Sequence, residues 1–212
     1  MDIRVWADFH CPYCYIGKAR MKKALREAGV SGARLFLRTY LLNPEASERE
    51  GESLNEYSIN QYGAKPEKVY ANNARLEAEA RELGLGMDLK SARYANMTDA
   101  HRLFHHAKTR GLGEAFFDLA QQALFTRGAL LSDRETLLTL AQQAGVPRDE
   151  ARDALTGDRY KAEVVADYKE GLDRAIDYIP YYVFGDGSHF SGDRSDAEYL
   201  SAVEKHLGGG KA

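Results

Sequence analysis

Cysteine is scarce in this chain: its 212 residues hold only two, Cys11 and Cys14. A bridge between them would close too short a loop to restrain the unfolded chain much, so the pair is no structural staple. No window approaches the roughly 18 consecutive apolar residues that span a membrane, and no membrane partner is expected. Neither charge sign dominates. The 29 basic and 32 acidic residues leave a net charge of −3 and are interspersed, which gives no footprint for nucleic acid. Internal repeats and low-complexity segments are absent. The opening MDIRVWADFH lacks the apolar run of a signal peptide, so a cytoplasmic location is expected.

Turning to what is present, DIRVWADF (2–9) carries Ile3, Val5, Trp6 and Phe9 and fits a short strand buried on both faces. Pro12 then opens a helix through CYIGKARMKKALREAG, closing at Gly29. ARLFLRTYLL (33–42) alternates as a second strand. From Asn43 to about Gly171 strand patterning vanishes. Pro66, Thr98 and a Ser132/Glu135 capping box mark helix starts, and Gly84 and Gly111 mark ends. Near the C terminus, Tyr181–Phe184 and Ser188–Ser191 read as a hairpin across Gly185-Asp186-Gly187. A last helix follows, capped by Ser195 or Asp193 and ended by Gly208–Gly210. Strands at both ends with helices between predict one discontinuous α/β domain, 1–43 and 171–212, interrupted by an all-helical module, 44–170.

The two cysteines sit where a strand runs into a helix. A helix N terminus stabilises a thiolate, and CxxC spacing there lowers a cysteine pKa to roughly 3.5–7.5. Cys11 is thereby expected as the attacking sulfur, and Cys14, one turn on, as the resolver of a mixed disulfide. Pro12 and Tyr13 between them supply no positive charge, so the pair is expected to be a weaker oxidant than one with histidine at that place. His10 could compensate by turning its ring to the sulfur. A zinc site is the competing reading, but it wants about four ligands, and only six histidines remain to complete one. His101 and His105 share a helix face without the glutamate of an HExxH pair, and a packed or solvated face is expected. No metal is expected.

FHCPYCYIGKARMKKAL resembles the active-site opening of the DsbA-like thioredoxin superfamily, in particular its cytosolic FrnE-like branch. YLLNPEAS, the NMTDAHRLFHHAK stretch and YIPYYVFGDGSHFSG are similar to that branch's later segments, in the same order. The resemblance implies a thioredoxin-like fold with an inserted helical module. It implies a cis-proline at Pro180 lying against the CxxC pair, with the Ile179 backbone free to pair with a bound peptide or glutathione. Two positions depart from the branch: Tyr13 stands where tryptophan is usual, and Tyr178-Ile179 stand where Gly-Val is usual. GDRSDAEYL (192–200) is closer to glutathione-transferase kappa and 2-hydroxychromene-2-carboxylate isomerase relatives, which implies Asp193, Arg194 and Asn43 as contacts for glutathione or substrate.

The resulting expectation is a cytosolic thiol-disulfide oxidoreductase, a reductase or isomerase rather than a net oxidant. It requires no cofactor, has glutathione or a small dithiol protein as candidate electron partner, and acts on a disulfide-containing protein or small thiol. The alternative is a glutathione-dependent isomerase or transferase acting on an aromatic small molecule; Phe104, Phe116, Phe117 and Phe125 could line its pocket, although that spacing more often marks plain core. A metal-storage or binding module is a third reading. Homodimer formation is left open by the sequence.

Overall fold

The computed structural model describes residues 1–46 and 52–207. Its sheet has four strands: β1 (Asp2–Ala7), β2 (Arg34–Thr39), β3 (Tyr181–Val183) and β4 (His189–Ser191), in the order β2-β1-β3-β4. β1 pairs parallel to β2, from Asp2 opposite Arg34 to Ala7 opposite Thr39, and antiparallel to β3 through Val5 and Tyr182. As an inner strand it buries Ile3, Val5, Trp6 and Ala7, and its apolar run without alternation follows from having both faces covered. The strand stops at Ala7 because Asp8 turns its carboxylate into the loop, accepting from the His10 amide at 3.1 Å and the Leu42 amide at 2.7 Å.

α1 (Pro12–Glu27) joins β1 to β2, and α9 (Asp196–Leu207) packs beside it. Between β2 and β3 come α2 (Leu54–Tyr62), α3 (Pro66–Glu82), α4 (Thr98–Thr109), α5 (Gly113–Arg127), α6 (Arg134–Gln143), α7 (Arg148–Ala154) and α8 (Lys161–Asp173). Phe104, Phe116, Phe117 and Phe125 lie in the helical core, none more than 1% exposed. They are plain core, the commoner outcome for that spacing, and none lines the cavity beside Cys11. No described helix is long and apolar enough to cross a membrane.

The domain boundary expected at 171 falls inside α8, which lies on the sheet. Trp6 donates its indole N–H to the Asp167 carbonyl at 3.0 Å, and the Asp167 carboxylate accepts from the Thr39 amide at 3.0 Å. Gly171 leaves room there: a Cβ would stand 3.0 Å from the Tyr40 ring.

Two expected caps move by one or two residues, and a third is settled between two candidates. Asp133 caps α6 in place of Ser132, its carboxylate accepting from the Thr136 amide at 2.8 Å. Asn96 rather than Thr98 receives the first amide of α4, at 2.9 Å. Ser195, not Asp193, caps α9 in a reciprocal box with Glu198. In each case an equally good short oxygen acceptor lay close by. α2 begins with a further capping box, Ser53 with Glu56. Gly208–Gly210, expected to end α9, lie outside the described residues.

Candidate active site

Cys11 is the N-cap of α1, with φ −81° and ψ 107°, and Pro12 follows as the first helical residue. Proline suits that position because its missing N–H would have no intrahelical partner and its φ is already helical. The Cys11 sulfur takes the place of the usual capping oxygen and accepts from the Cys14 amide at 3.2 Å. Both thiols are free and nearly buried, 3% and 2% exposed. On the far side, the Cys11 thiol donates to the Ile179 carbonyl at 3.7 Å, and the Ile179-Pro180 bond is cis. The structure thus brings Cys11, Pro12, Cys14, Ile179 and Pro180 together across about 170 residues of chain.

Burial pushes the Cys14 thiol well up, and the hydrogen bond and charge of the adjacent Cys11 sulfur add to this. His10 does not serve the sulfur. Its Nε2 accepts from the Ala95 amide at 3.1 Å, a second bond runs to the Arg93 backbone, and the ring stacks on Tyr94 at 5.0 Å. Burial pushes the His10 pKa down to about 4 against the pull of Asp8, so the ring is neutral at neutral pH and adds no charge to the site. The sequence places His10 next to Cys11 but cannot show which way its ring turns.

Tyr13 accepts a hydrogen bond from the Asn72 side chain of α3 at 2.9 Å. Its hydroxyl therefore ties the CxxC turn to the helical module, a link that a tryptophan would make differently. Cys11, Pro12 and Tyr13 form one wall of a cavity of about 460 Å³. Tyr57, Tyr62, Tyr94 and Tyr178 bring aromatic surface to it, and Asn43, Asn55, Asn72 and Asn73 bring amides. Tyr57 and Tyr94 stack at 3.6 Å. Asn43 donates to the Tyr57 hydroxyl at 2.8 Å.

Asp193 and Arg194 line a second cavity of about 370 Å³ that shares Tyr13, Tyr178 and Ile179 with the first. Its carboxylate is already engaged, 2.7 Å from Arg75 and 3.7 Å from Arg20. Arg194 bonds the Ser191 carbonyl at 3.0 Å and Glu198 at 3.4 Å. The residues expected at one glutathione site are thus divided between two adjoining hollows.

Two residues at the site had no sequence signal strong enough to be singled out. Gln121 of α5 is fully buried and donates its amide to the carbonyls of Asp8, Phe9 and Cys11, at 3.2, 3.4 and 3.5 Å. Asp8, only 2% exposed, holds both sides of the turn. Burial works against its charge, but His101, His10 and the Leu42 amide outweigh it and keep the carboxyl below its usual range. A lone acid within the apolar run VWADF was the available clue for Asp8. Among the described residues, no group of three or more His, Cys, Asp or Glu side chains is arranged to hold a metal ion.

A family model described as a DSBA-like thioredoxin domain matches residues 2–204. The probable DsbA oxidoreductase SCO1869 of Streptomyces coelicolor superposes with a TM-score of 0.92 over 98% of this chain and 90% of that one, at 29% identity. The cytosolic disulfide reductase DsbM of Pseudomonas aeruginosa, also solved with GSH, shares the fold at a TM-score of 0.64, with 16% identity and 98% of both chains covered. The uncharacterized protein YwbO of Bacillus subtilis is 25% identical over 188 residues, 88% of each chain. A CxxC pair at a strand-to-helix junction, a cis-proline beside it, helices inserted between the second and third strands and a family match over nearly the whole length agree: the chain belongs to the DSBA-like thioredoxin domain family.

Proposed function

We propose that the protein is a cytosolic thiol-disulfide oxidoreductase in which Cys11 attacks and Cys14 resolves. The observation that carries this is the capping geometry: the Cys11 sulfur accepts the Cys14 amide at the positive end of a 16-residue helix, where charge on sulfur is favoured. Cys11 would attack a substrate disulfide and release one thiolate. Cys14 would then attack Cys11, releasing the second thiolate and closing the protein disulfide. Low-molecular-weight thiols such as glutathione would reopen it. Against a reducing cytosolic pool, such a pair works as a reductase or isomerase rather than a net oxidant.

The cavity beside Cys11 lies in the size range of small-ligand pockets, which supports a small disulfide or a slender peptide segment as substrate. Asn43, Asp193 and Arg194 at the rims of the two hollows would contact its polar ends. Cys11→Ser is expected to abolish reduction of a small disulfide or of insulin. Cys14→Ser is expected to accumulate a mixed disulfide at Cys11, seen as added mass. Full activity in Cys11→Ser would sink the proposal.

The aromatic lining of the same cavity favours one second reading, a glutathione-dependent isomerase or transferase acting on an aromatic small molecule. Tight glutathione binding that survives Cys14→Ser, in a wild type that turns over no disulfide, would select it.

A further inference from the structure

Between α1, α3 and the start of α9 lies a cluster of charged side chains that the proposed chemistry has not used. Arg75 of α3 is its outermost cation, 42% exposed. Its Nη1 donates to Glu79 at 2.7 Å, and its Nη2 is shared, donating to the Asn72 side-chain oxygen at 2.8 Å and to Asp193 Oδ2 at 2.7 Å. The other oxygen of Asp193 faces Arg20 at 3.7 Å. Arg20 lies deeper, 11% exposed, and is anchored on Glu79 at 3.1 Å and on Asp196 at 2.8 Å, where Lys23 adds a contact at 2.6 Å. Arg20, Lys23 and Arg75 thus balance Glu79, Asp193 and Asp196, and the cluster as a whole favours neither sign.

Asp193 is the member of this cluster that lines the hollow of about 370 Å³ beside the cysteine pair. Tyr13, Tyr178 and Ile179 border both hollows, and the Cys11 thiol meets the Ile179 carbonyl at 3.7 Å. A small molecule bonded to the Cys11 sulfur therefore reaches Asp193 across that shared rim. There its ammonium group, if it has one, finds a carboxylate acceptor. Arg75 already holds that place, but weakly. Both partners are partly in water, which screens their attraction, and the pair must order a long side chain. On letting go of Asp193, Arg75 keeps Asn72 and Glu79, and Arg20 still faces the carboxylate from below. The arginine can yield its position without leaving a buried charge unpaired.

We propose that Arg75 is a specificity switch for the exchange reaction: it competes for Asp193 with the ammonium group of a low-molecular-weight thiol arriving at Cys11. The proposal rests on the thiol-exchange reading. In reduction of the Cys11–Cys14 disulfide, a first thiolate attacks Cys11. A bond forms between its sulfur and Cys11, the Cys11–Cys14 bond breaks, and the electron pair goes to Cys14. A second thiolate attacks the sulfur of the first, and Cys11 leaves with the electron pair of their bond. Two thiols have become one disulfide, and their two protons end on Cys11 and Cys14. During the first step the ammonium of the incoming thiol takes Asp193, and Arg75 turns to Asn72 and Glu79. A thiol whose amine is blocked gains nothing from Asp193 and leaves Arg75 in place. Arg75 therefore sets how strongly the protein favours an amine-bearing thiol over a blocked one.

The test is the second-order rate constant for reduction of the oxidised protein by glutathione, which carries a free ammonium, and by N-acetylglutathione, in which it is blocked. The freed thiols are counted by alkylation and mass. The quantity read is the ratio of the two constants, in which changes in stability or in Cys11 exposure cancel. Arg75→Leu keeps the stem and removes the fork. It is expected to raise the ratio about three- to five-fold, the weight of a partly exposed ion pair. Arg75→Lys, which can still pair with Asp193, is expected to stay near the wild-type ratio. Asp193→Asn is expected to lower the ratio, and adding Arg75→Leu to it should then change nothing further. A rise of the same size in that background would assign the effect to the general loss of positive charge and overturn the switch. An unchanged ratio in Arg75→Leu alone would also overturn it, with the exchange reading intact. A wild-type disulfide that neither thiol reduces would overturn the exchange reading and the switch with it.

Discussion

His10 and Asp8 flank the same buried turn, and each is held in one protonation state by what surrounds it. His10 has a folded pKa of about 4 against about 6.5 in an unfolded chain. Between those values the unfolded state binds the extra proton, so stability rises with pH through that window. Its contribution is complete above about pH 6.5 and falls by roughly 3 kcal/mol on acidification to pH 4. Burial lowers His101 and His106 as well, which reinforces the trend. Urea unfolding at pH 7, 5.5 and 4 should show this loss, and His10→Gln should flatten it. A curve of the same steepness in the variant would place the titration elsewhere. Asp8, depressed in the fold, adds a loss at still lower pH as it protonates.

At the scale of an element, α1 does two jobs: its first turn presents the sulfurs, and its second turn lets the Pro180 loop come close. Gly17 makes that approach workable. A Cβ there would stand 2.7 Å from Pro180 Cγ and would press on the Tyr199 hydroxyl. Gly17→Ala is therefore expected to cost about 1–3 kcal/mol through overpacking and to slow exchange by shifting Pro180 from Cys11. Thermal melts and small-disulfide reduction would check it, and unchanged values in both would show that the loop gives way freely. α1 was legible in the sequence because its proline start, apolar spacing and glycine end are all local. α2 was not, because LNEYSINQY has one side on the cavity and buries only Asn55, leaving no apolar stripe to read. The caps at Asp133 and Asn96 were misplaced because several short oxygen acceptors stand side by side, and only the realised hydrogen bond separates them.

At the scale of the whole molecule, the helical insertion is part of the site. Gln121 of α5 holds the carbonyls of Asp8, Phe9 and Cys11, and Asn72 of α3 holds Tyr13. Gln121→Leu leaves those buried carbonyls without their side-chain donor. It is expected to cost about 1–3 kcal/mol and to speed hydrogen exchange at the Cys14 and Tyr15 amides. Protection unchanged at those amides would mean that α1 alone holds the turn.

The CxxC pair, the strand before it and the helix after it were determined by the sequence alone, since each depends on neighbours within a few residues. The resemblance to a known branch extended that reading to Pro180. Tertiary structure alone decided that His10 turns to the Arg93–Ala95 backbone, that Asp193 is held by Arg75 and Arg20, and that α8 packs on both the sheet and α4. It also decided that Thr39, His101 and His105 meet beneath Asp8. Those contacts join residues 62 to 173 positions apart, and packing, which no local pattern encodes, sets them.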